Sequence, residues 1–532
     1  ISSDRRRRVI LDSLNARHWP CTRRRMPPTE DIALSSQYFI GIDTSTTASK
    51  ALAIDETGAV VASESQPHPL STPRPLWSEQ DPDDWWRATS AALRAVTAKI
   101  PVDRIAAVGL TGQMHGMTAL DAAGRPLRPA MLWNDQRTGP QVDWITAQIG
   151  AHRLYQVTGS MMLTGFTAPK IIWVRDHEPE VYAQIAHILL PKDYIRYRLS
   201  GAYITDVADG SGFALFDVAR RTWSDDILAA LDLPRAWFPE VVESPAVCAH
   251  VSAEAAAETG LKAGTPIVGG AGDQPAGGVG SGIVAAGQMS LAVGTSGVAF
   301  AASSTYSPHP DGLLHTFCHA IPGTWFHMGV MLSAAGSFRW LHEELAPGMS
   351  YDEMNARAAS VPAGSLGLLF APYLTGERHP HYDPLARGAF VGLTLRHGLS
   401  HLIRAVMEGV AFGMRDLVEL LRAQGTHPSE AVIGGGAANS PVWRQLITDI
   451  MGIPLYTVNT TEGAAFGAAI LASVGAGAWP DVPSACQTLI RKESVTEPDP
   501  AAMAAYEALY PAYRALYPAL RETFSAQSRF EG

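Results

Sequence analysis

Residues 43–50, DTSTTASK, set a carboxylate, a run of hydroxyls and an ammonium close together in the chain. In a tight turn, the main-chain N–H groups and the hydroxyls of Ser45, Thr46 and Thr47 can donate to phosphate oxygens. Lys50 adds positive charge, and Asp43 can hold Mg2+ through water. A polar hairpin turn has the same composition, because Thr and Ser are common in turns, so this segment alone admits both readings. Residues 294–297, Gly-Thr-Ser-Gly, repeat the chemistry in the second half of the chain, with Thr295 at the tip. There is no GxxxxGK[ST] loop, so ATP binding would rest on two facing hairpins rather than on a P-loop.

Asp273 stands in GGAGDQPAGG, a carboxylate flanked by glycines at an expected strand end. Phosphorylating an alcohol requires a group that accepts the hydroxyl proton as the oxygen attacks phosphorus, and an aspartate within hydrogen-bond reach serves that purpose. The alternative is a turn aspartate that caps the following helix. Gln113-Met114-His115-Gly116 follows the apolar strand AAVGL, and Leu132-Trp133-Asn134-Asp135 follows another. At the C-terminal ends of neighbouring strands these residues would grip a polyol, with hydrogen bonds reading hydroxyls and the indole packing on the carbon chain. A lone His after a strand is more often structural, and it is the combination that points to a sugar.

These segments need elements to position them. Residues 38–55 read as a β-hairpin: the apolar run FIGI meets Asp43, a hydroxyl-rich stretch follows, and a second apolar run ends at Asp55 before a Thr-Gly turn. Residues 288–302 repeat the pattern, with MSLAV before the glycine turn and VAFAA after it. Two copies, one opening each half, imply duplication into two similar α/β lobes with a cleft between them. A helix is predicted over 82–97, with Asp81 as cap and Pro82 at its first position, and another over 401–422 after Ser400. The glycine-rich stretch 266–282 is expected near the lobe boundary. Residues 431–450 run from a short strand through Gly434, Gly435, Gly436 and Asn439 into a helix opening near Pro441, where bare backbone can approach a nucleotide.

Composition bounds the answer. The 532 residues exceed one compact domain, and 46% hydrophobic with 17% charged residues describes an ordinary globular chain. A net charge of -10 argues against nucleic acid as partner and leaves a small molecule. Cys21, Cys248, Cys318 and Cys486 are scattered, without the spacing of a disulfide framework or a zinc site. No apolar run has the length of a membrane span and no secretion signal is seen, so no membrane partner and a cytoplasmic location are expected. Residues 1–36, with arginine runs at 5–8 and 23–25, read as a basic extension without core-forming pattern.

From about residue 38 to 517 the chain resembles the FGGY carbohydrate kinases, and within them the bacterial xylulokinases. Residues 165–177, GFTAPKIIWVRDH, look like the family's first signature, and 388–408, GAFVGLTLRHGLSHLIRAVME, like its second. The subfamily resemblance rests on LWSEQDPDDWW, GQMHG, LRPAMLWNDQRT, LLPKDY and PYLTGERHPH. Glycerol kinases instead carry an Arg-Glu pair where this chain has Met114 and His115. The resemblance implies two ribonuclease-H-like (actin-like ATPase) lobes, 37–283 binding sugar and 284–517 binding adenosine, followed by a tail, 518–532. It implies ATP and Mg2+ as cofactors, and it leaves the assembly open, a homodimer included.

By the same resemblance, Asp273 falls on the catalytic base, Met114 and His115 on the sugar-contact dipeptide, and Asp43 on the Mg2+-associated aspartate. Thr46, Thr47, Lys50 and Thr295 match phosphate contacts, Gly435 and Asn439 the adenosine motif. Trp133 and Gln274 complete the expected substrate contacts. The chain departs from the pattern where DTSTT lacks a glycine two residues after Asp43. It departs again where Gln274 replaces the asparagine of many xylulokinases with the glycerol kinase residue. The implied reaction is phosphorylation of D-xylulose at its 5-hydroxyl. Rival acceptors are ribulose, ribitol or a deoxy sugar, and a rival of another class is an actin-like ATPase switch, which would need neither Asp273 nor GQMHG.

Overall fold

In the computed structural model, which describes residues 37–530, the first hairpin forms where the sequence places it. Strand β1 (Tyr38–Thr44) pairs antiparallel with β2 (Ala48–Asp55), in register from Tyr38 opposite Asp55 to Thr44 opposite Ser49. Phe39, Ile40 and Ile42 are buried on both faces of the sheet, which is why the run is apolar without alternation. Strand β3 (Val60–Pro67) continues the meander, and helix α1 (Pro82–Thr97) opens as predicted, with the Asp81 carboxylate accepting from the Asp83 N–H. Strand β4 (Ile105–Gly112) lies parallel to β1 on its other side, and β5 (Val247–His250) and β6 (Pro266–Val268) complete the order β5-β6-β4-β1-β2-β3. A two-residue strand, Ala271–Gly272, also pairs with β4 and leads into helix α2 (Asp273–Gly280).

The second half repeats this order. Strands β7 (Met289–Val293) and β8 (Gly297–Ser303) form the second hairpin, followed by β9 (His315–Cys318) and β10 (Trp325–Met331). The long helix α3 (Leu399–Ala423) precedes β11 (Ala431–Gly434), helix α4 (Pro441–Met451) and β12 (Leu455–Val458). Helix α5 (Gly463–Gly475) and β13 (Lys492–Thr496) complete a sheet ordered β9-β10-β8-β7-β11-β12-β13. Counted from β1 and from β7, one side carries two antiparallel strands in the first sheet and three in the second, and the other side carries two parallel strands and an antiparallel edge in both. The weak internal repeat in the sequence is therefore a duplication of topology, with β9 the one addition. Helix α3 begins two residues before the expected start, because the Gly398 N–H bonds back to the His401 ring at 3.2 Å and draws Leu399 and Ser400 into the helix.

Helix α5 belongs to the second half in sequence and to the first in packing. A Cβ at Gly41 of β1 or Gly109 of β4 would lie 2.0 Å from the carbonyl oxygens of Ala465 and Ala468, so helix and sheet touch backbone to backbone. Helix α2 crosses α5 as closely: a Cβ at Gly467 would lie 1.9 Å from the Ala276 oxygen. This crossing seats the glycine-rich stretch expected near the lobe boundary. Among the described residues, Cys248, Cys318 and Cys486 are free thiols and no helix is long and apolar enough to cross a membrane. The basic stretch 1–36 lies outside the described residues.

Candidate active site

Three adjacent parallel strands end at one place. Asp43 of β1 lies opposite Thr111 of β4, and Gly112 of β4 lies opposite Gly272, so Asp43, the GQMH segment and Asp273 all stand at carboxyl ends of the same sheet. Ligands of open α/β sheets bind at such ends. Asp273 is the first residue of α2, while the cap position is held by Gly272 without a side-chain bond. Asp273 thus stands one residue past the cap position. Burial pushes Asp273 up to about 7, and the negative charge of Asp43 adds to the shift. Its carboxylate accepts from the N–H and the side-chain amide of Gln274, which act against the upward shift. Asp43 is itself pushed up to about 6 by burial against the pull of Lys50, and its Oδ1 is buried without a partner.

The hairpin tips present main-chain donors. Neither Thr46 and Thr47 on the first nor Thr295 and Ser296 on the second donates a main-chain N–H within the described residues. Thr46 uses its hydroxyl elsewhere, donating to Gln113 Oε1 at 3.2 Å and accepting from the Trp133 indole at 3.0 Å. What it has left for a phosphate is its N–H. Gln80 Nε2 donates to the Thr46 carbonyl at 2.7 Å and its Oε1 accepts from Gln113 Nε2 at 2.9 Å, so two buried glutamines brace the turn. The sequence reading missed both in this role. Their signal was position: Gln80 immediately precedes the cap of α1 and Gln113 directly follows β4.

On the other flank, His115 has a left-handed backbone (φ 68°) and its Nδ1 donates to the Gly212 carbonyl at 2.8 Å. Because a carbonyl only accepts, this bond leaves Nε2 as the acceptor, and burial holds the ring neutral by lowering its pKa to about 3. The His115 carbonyl accepts from Lys170 Nζ at 2.8 Å and Thr167 Oγ1 at 3.1 Å. Met114 abuts the residue before Asp273, since a Cβ at Gly272 would lie 2.5 Å from Met114 Cγ. Trp133 reaches the site by another route than expected. It follows a two-residue strand, Ala130–Met131, that pairs with Glu79–Gln80 and not with the main sheet, and the bond to Thr46 brings its indole in.

Beside these groups opens a cleft of about 670 Å³ lined by Asp273, Gln274, Gly277, Gly435, Asn439 and Arg444. Gly435 has φ 77°, and a Cβ there would lie 2.6 Å from the Val293 carbonyl at the base of the second hairpin, so only glycine fits. Two halves of one topology thus meet over a paired aspartate site with a large cleft beside it. Residues 38–280 match the N-terminal domain of the FGGY family of carbohydrate kinases, and 289–476 match its C-terminal domain. The chain belongs to the FGGY family of carbohydrate kinases.

The two sheets are accordingly the actin-like ATPase lobes of an FGGY kinase. The chain is 43% identical over 439 residues to a xylulose kinase of Escherichia coli, covering 82% of this chain and 90% of the relative. A xylulose kinase of Klebsiella pneumoniae is 42% identical over 470 residues, 88% of this chain and 96% of the relative. Among solved structures, a xyloylose kinase from Brucella ovis superposes with a TM-score of 0.86 at 38% identity, over 92% of this chain and all of its own.

Of the two segments that resemble family signatures, the first supports the site and the second braces the C-terminal half. The first contributes Lys170 and Thr167, which pin the His115 backbone in its turn. The second ends at Glu408, buried and accepting from the Gly364 N–H, Ser365 Oγ, Arg404 and the Tyr506 hydroxyl. Two other buried carboxylates are already committed: Asp135 to Arg137 at 2.6 Å and the Ser78 N–H, Glu377 to the N–H groups of Leu332 and Arg378. A buried acidic group, Asp193, Asp206 and Asp209, surrounds the Lys192 ammonium, which fills the space that a metal would take.

Proposed function

We propose that this FGGY kinase transfers the γ-phosphoryl group of ATP to the 5-hydroxyl of D-xylulose, giving D-xylulose 5-phosphate and ADP. The observation that carries the reading is the position of Asp273. It lines the nucleotide cleft, and its neighbour Gly272 abuts Met114 of the proposed sugar-contact pair. Asp273 takes the proton of the attacking hydroxyl as the new O–P bond forms and the bond to ADP breaks. Met114, His115, Trp133 and Gln274 hold the sugar, while Gly435 and Asn439 take the adenosine side. The N–H groups of Thr46, Thr47 and Thr295, with Lys50, receive the phosphates. Asp43, whose Oδ1 is buried without a partner, fits Mg2+, which when bound neutralises phosphate charge.

A panel of ketoses and polyols in a coupled ADP-release assay tests the reading. D-Xylulose should give the highest kcat/KM, and ADP release without sugar should be slow. A higher kcat/KM on ribulose, ribitol or a deoxy sugar would move the substrate assignment. Full-rate ADP release without any acceptor would replace it with an ATPase switch.

A further inference from the structure

Arg378, in PYLTGERHPH, lies in the loop between the strands Leu369–Ala371 and Ala389–Val391 of the C-terminal half. The backbone of this loop is held on all sides. Glu377 Oε1 accepts from the Leu332 N–H at 2.9 Å and the Arg378 N–H at 2.7 Å, the His379 N–H donates to the Val330 carbonyl at 3.1 Å, and the Tyr382 hydroxyl donates to the Gly312 carbonyl at 2.9 Å. The guanidinium that this framework carries makes no hydrogen bond or ion pair among the described residues. Other well-enclosed arginines are paired: Arg137 with Asp135 and Glu79, Arg196 with Asp193, Arg404 with Glu408.

The surroundings of Arg378 join the two lobes. The ring of His379 packs on His315 at 4.8 Å, His315 on Phe166 at 5.8 Å, and Phe166 on His115 at 4.6 Å. This ring cluster runs from the C-terminal loop to the proposed sugar-contact histidine of the N-terminal lobe. Burial lowers the pKa of His115, His315 and His379 and keeps all three imidazoles neutral, and the positive charge of Arg378 adds to the shift in each. The neighbouring Glu377 is pushed up to about 8 by burial, which removes it as a counter-ion near neutral pH. Arg378 is half-buried and burial disfavours its charge, so a ligand that closes its remaining access to water must supply the acceptors.

We infer that Arg378 is a sugar-binding residue contributed by the C-terminal lobe, its guanidinium donating to the sugar oxygens at the end held by His115, away from the hydroxyl at Asp273. This rests on the sugar site proposed above. The planar fork of a guanidinium suits two adjacent oxygens, and a 2-ketose offers such a pair in its C1 hydroxyl and C2 carbonyl. With His115 on one lobe and Arg378 on the other, a bound ketose bridges the lobes and favours their closure over ATP.

The test compares wild type with Arg378→Ala and Arg378→Lys, each first checked for an unchanged thermal melt and ATP binding. On D-xylulose the alanine variant should raise the sugar KM about 10- to 100-fold, the loss expected for a hydrogen bond from a charged donor. The ATP KM should change little. The lysine variant should recover only part of the loss, and the preference for D-xylulose over the alditol lacking the carbonyl should shrink in both. An unchanged sugar KM would overturn the inference. So would a fall in kcat at unchanged sugar KM, which would put the guanidinium on the transferring phosphoryl group. If wild type prefers another acceptor, the substrate assignment fails separately, and the same KM comparison on that acceptor decides Arg378.

Discussion

Lys50, beside the turn of the first hairpin, donates to Glu462 Oε2 at 2.6 Å, joining the N-terminal lobe to the residue that immediately precedes helix α5. If Lys50 receives a phosphate, Glu462 competes with it for the ammonium. The pair is partly solvated, at 35% and 23% side-chain exposure, so it is worth about 0–1 kcal/mol. Glu462→Gln should therefore free Lys50 and lower the ATP KM by up to about fivefold, with the sugar KM unchanged. A raised ATP KM in steady-state assays would show that Glu462 positions Lys50 rather than sequestering it.

Asp273 should give two pH effects of opposite sign. As general base it must be ionised, so kcat/KM for the sugar should rise with pH through the region of its raised pKa of about 7. Stability runs the other way. The folded protein holds the Asp273 proton up to about 7 while the unfolded chain loses it near 4, so between these pH values the native state binds more protons and stability falls as pH rises. In the ligand-free protein, Asp273→Asn should be more stable than wild type at pH 8 by on the order of 1 kcal/mol, and nearly equal at pH 4. Thermal melts at the two pH values check this; an asparagine variant less stable at pH 8 would contradict it.

His115→Ala should weaken sugar use more than ATP binding. The imidazole packs on Phe166 and Phe317, neither of which lines the cleft, and its bond to Gly212 leaves Nε2 as an acceptor. Losing one buried polar contact costs about 1–3 kcal/mol, roughly a 5- to 150-fold rise in sugar KM. A lost nucleotide affinity at constant sugar KM would assign His115 to the fold or to the other site.

Much of this was legible in the chain because it is local. The hairpins follow from buried apolar runs broken by hydroxyls, and α1 from Asp81 followed by Pro82. What stayed hidden depends on contacts between distant residues. Nothing near Gln80 announces that it braces Thr46, and Lys170 looks like a helix surface residue until its ammonium is found under the His115 carbonyl. The packing of α5 on the first sheet requires Gly41 and Gly109 to face Ala465 and Ala468, a match that no window of sequence displays. Trp133 meets Thr46 of the first hairpin by a route that the sequence hides, since a strand of two residues gives no periodicity to read.

The central claim is that Asp273 accepts the proton of the sugar hydroxyl, and steady-state turnover of Asp273→Asn on D-xylulose tests it most directly. Asparagine keeps the shape of the side chain and removes the basic oxygen. Asparagine also keeps the acceptor oxygen that the Gln274 N–H meets in the first turn of α2. Sugar phosphorylation should fall by about two orders of magnitude or more while ATP binding persists. Turnover within a few fold of wild type would contradict the account.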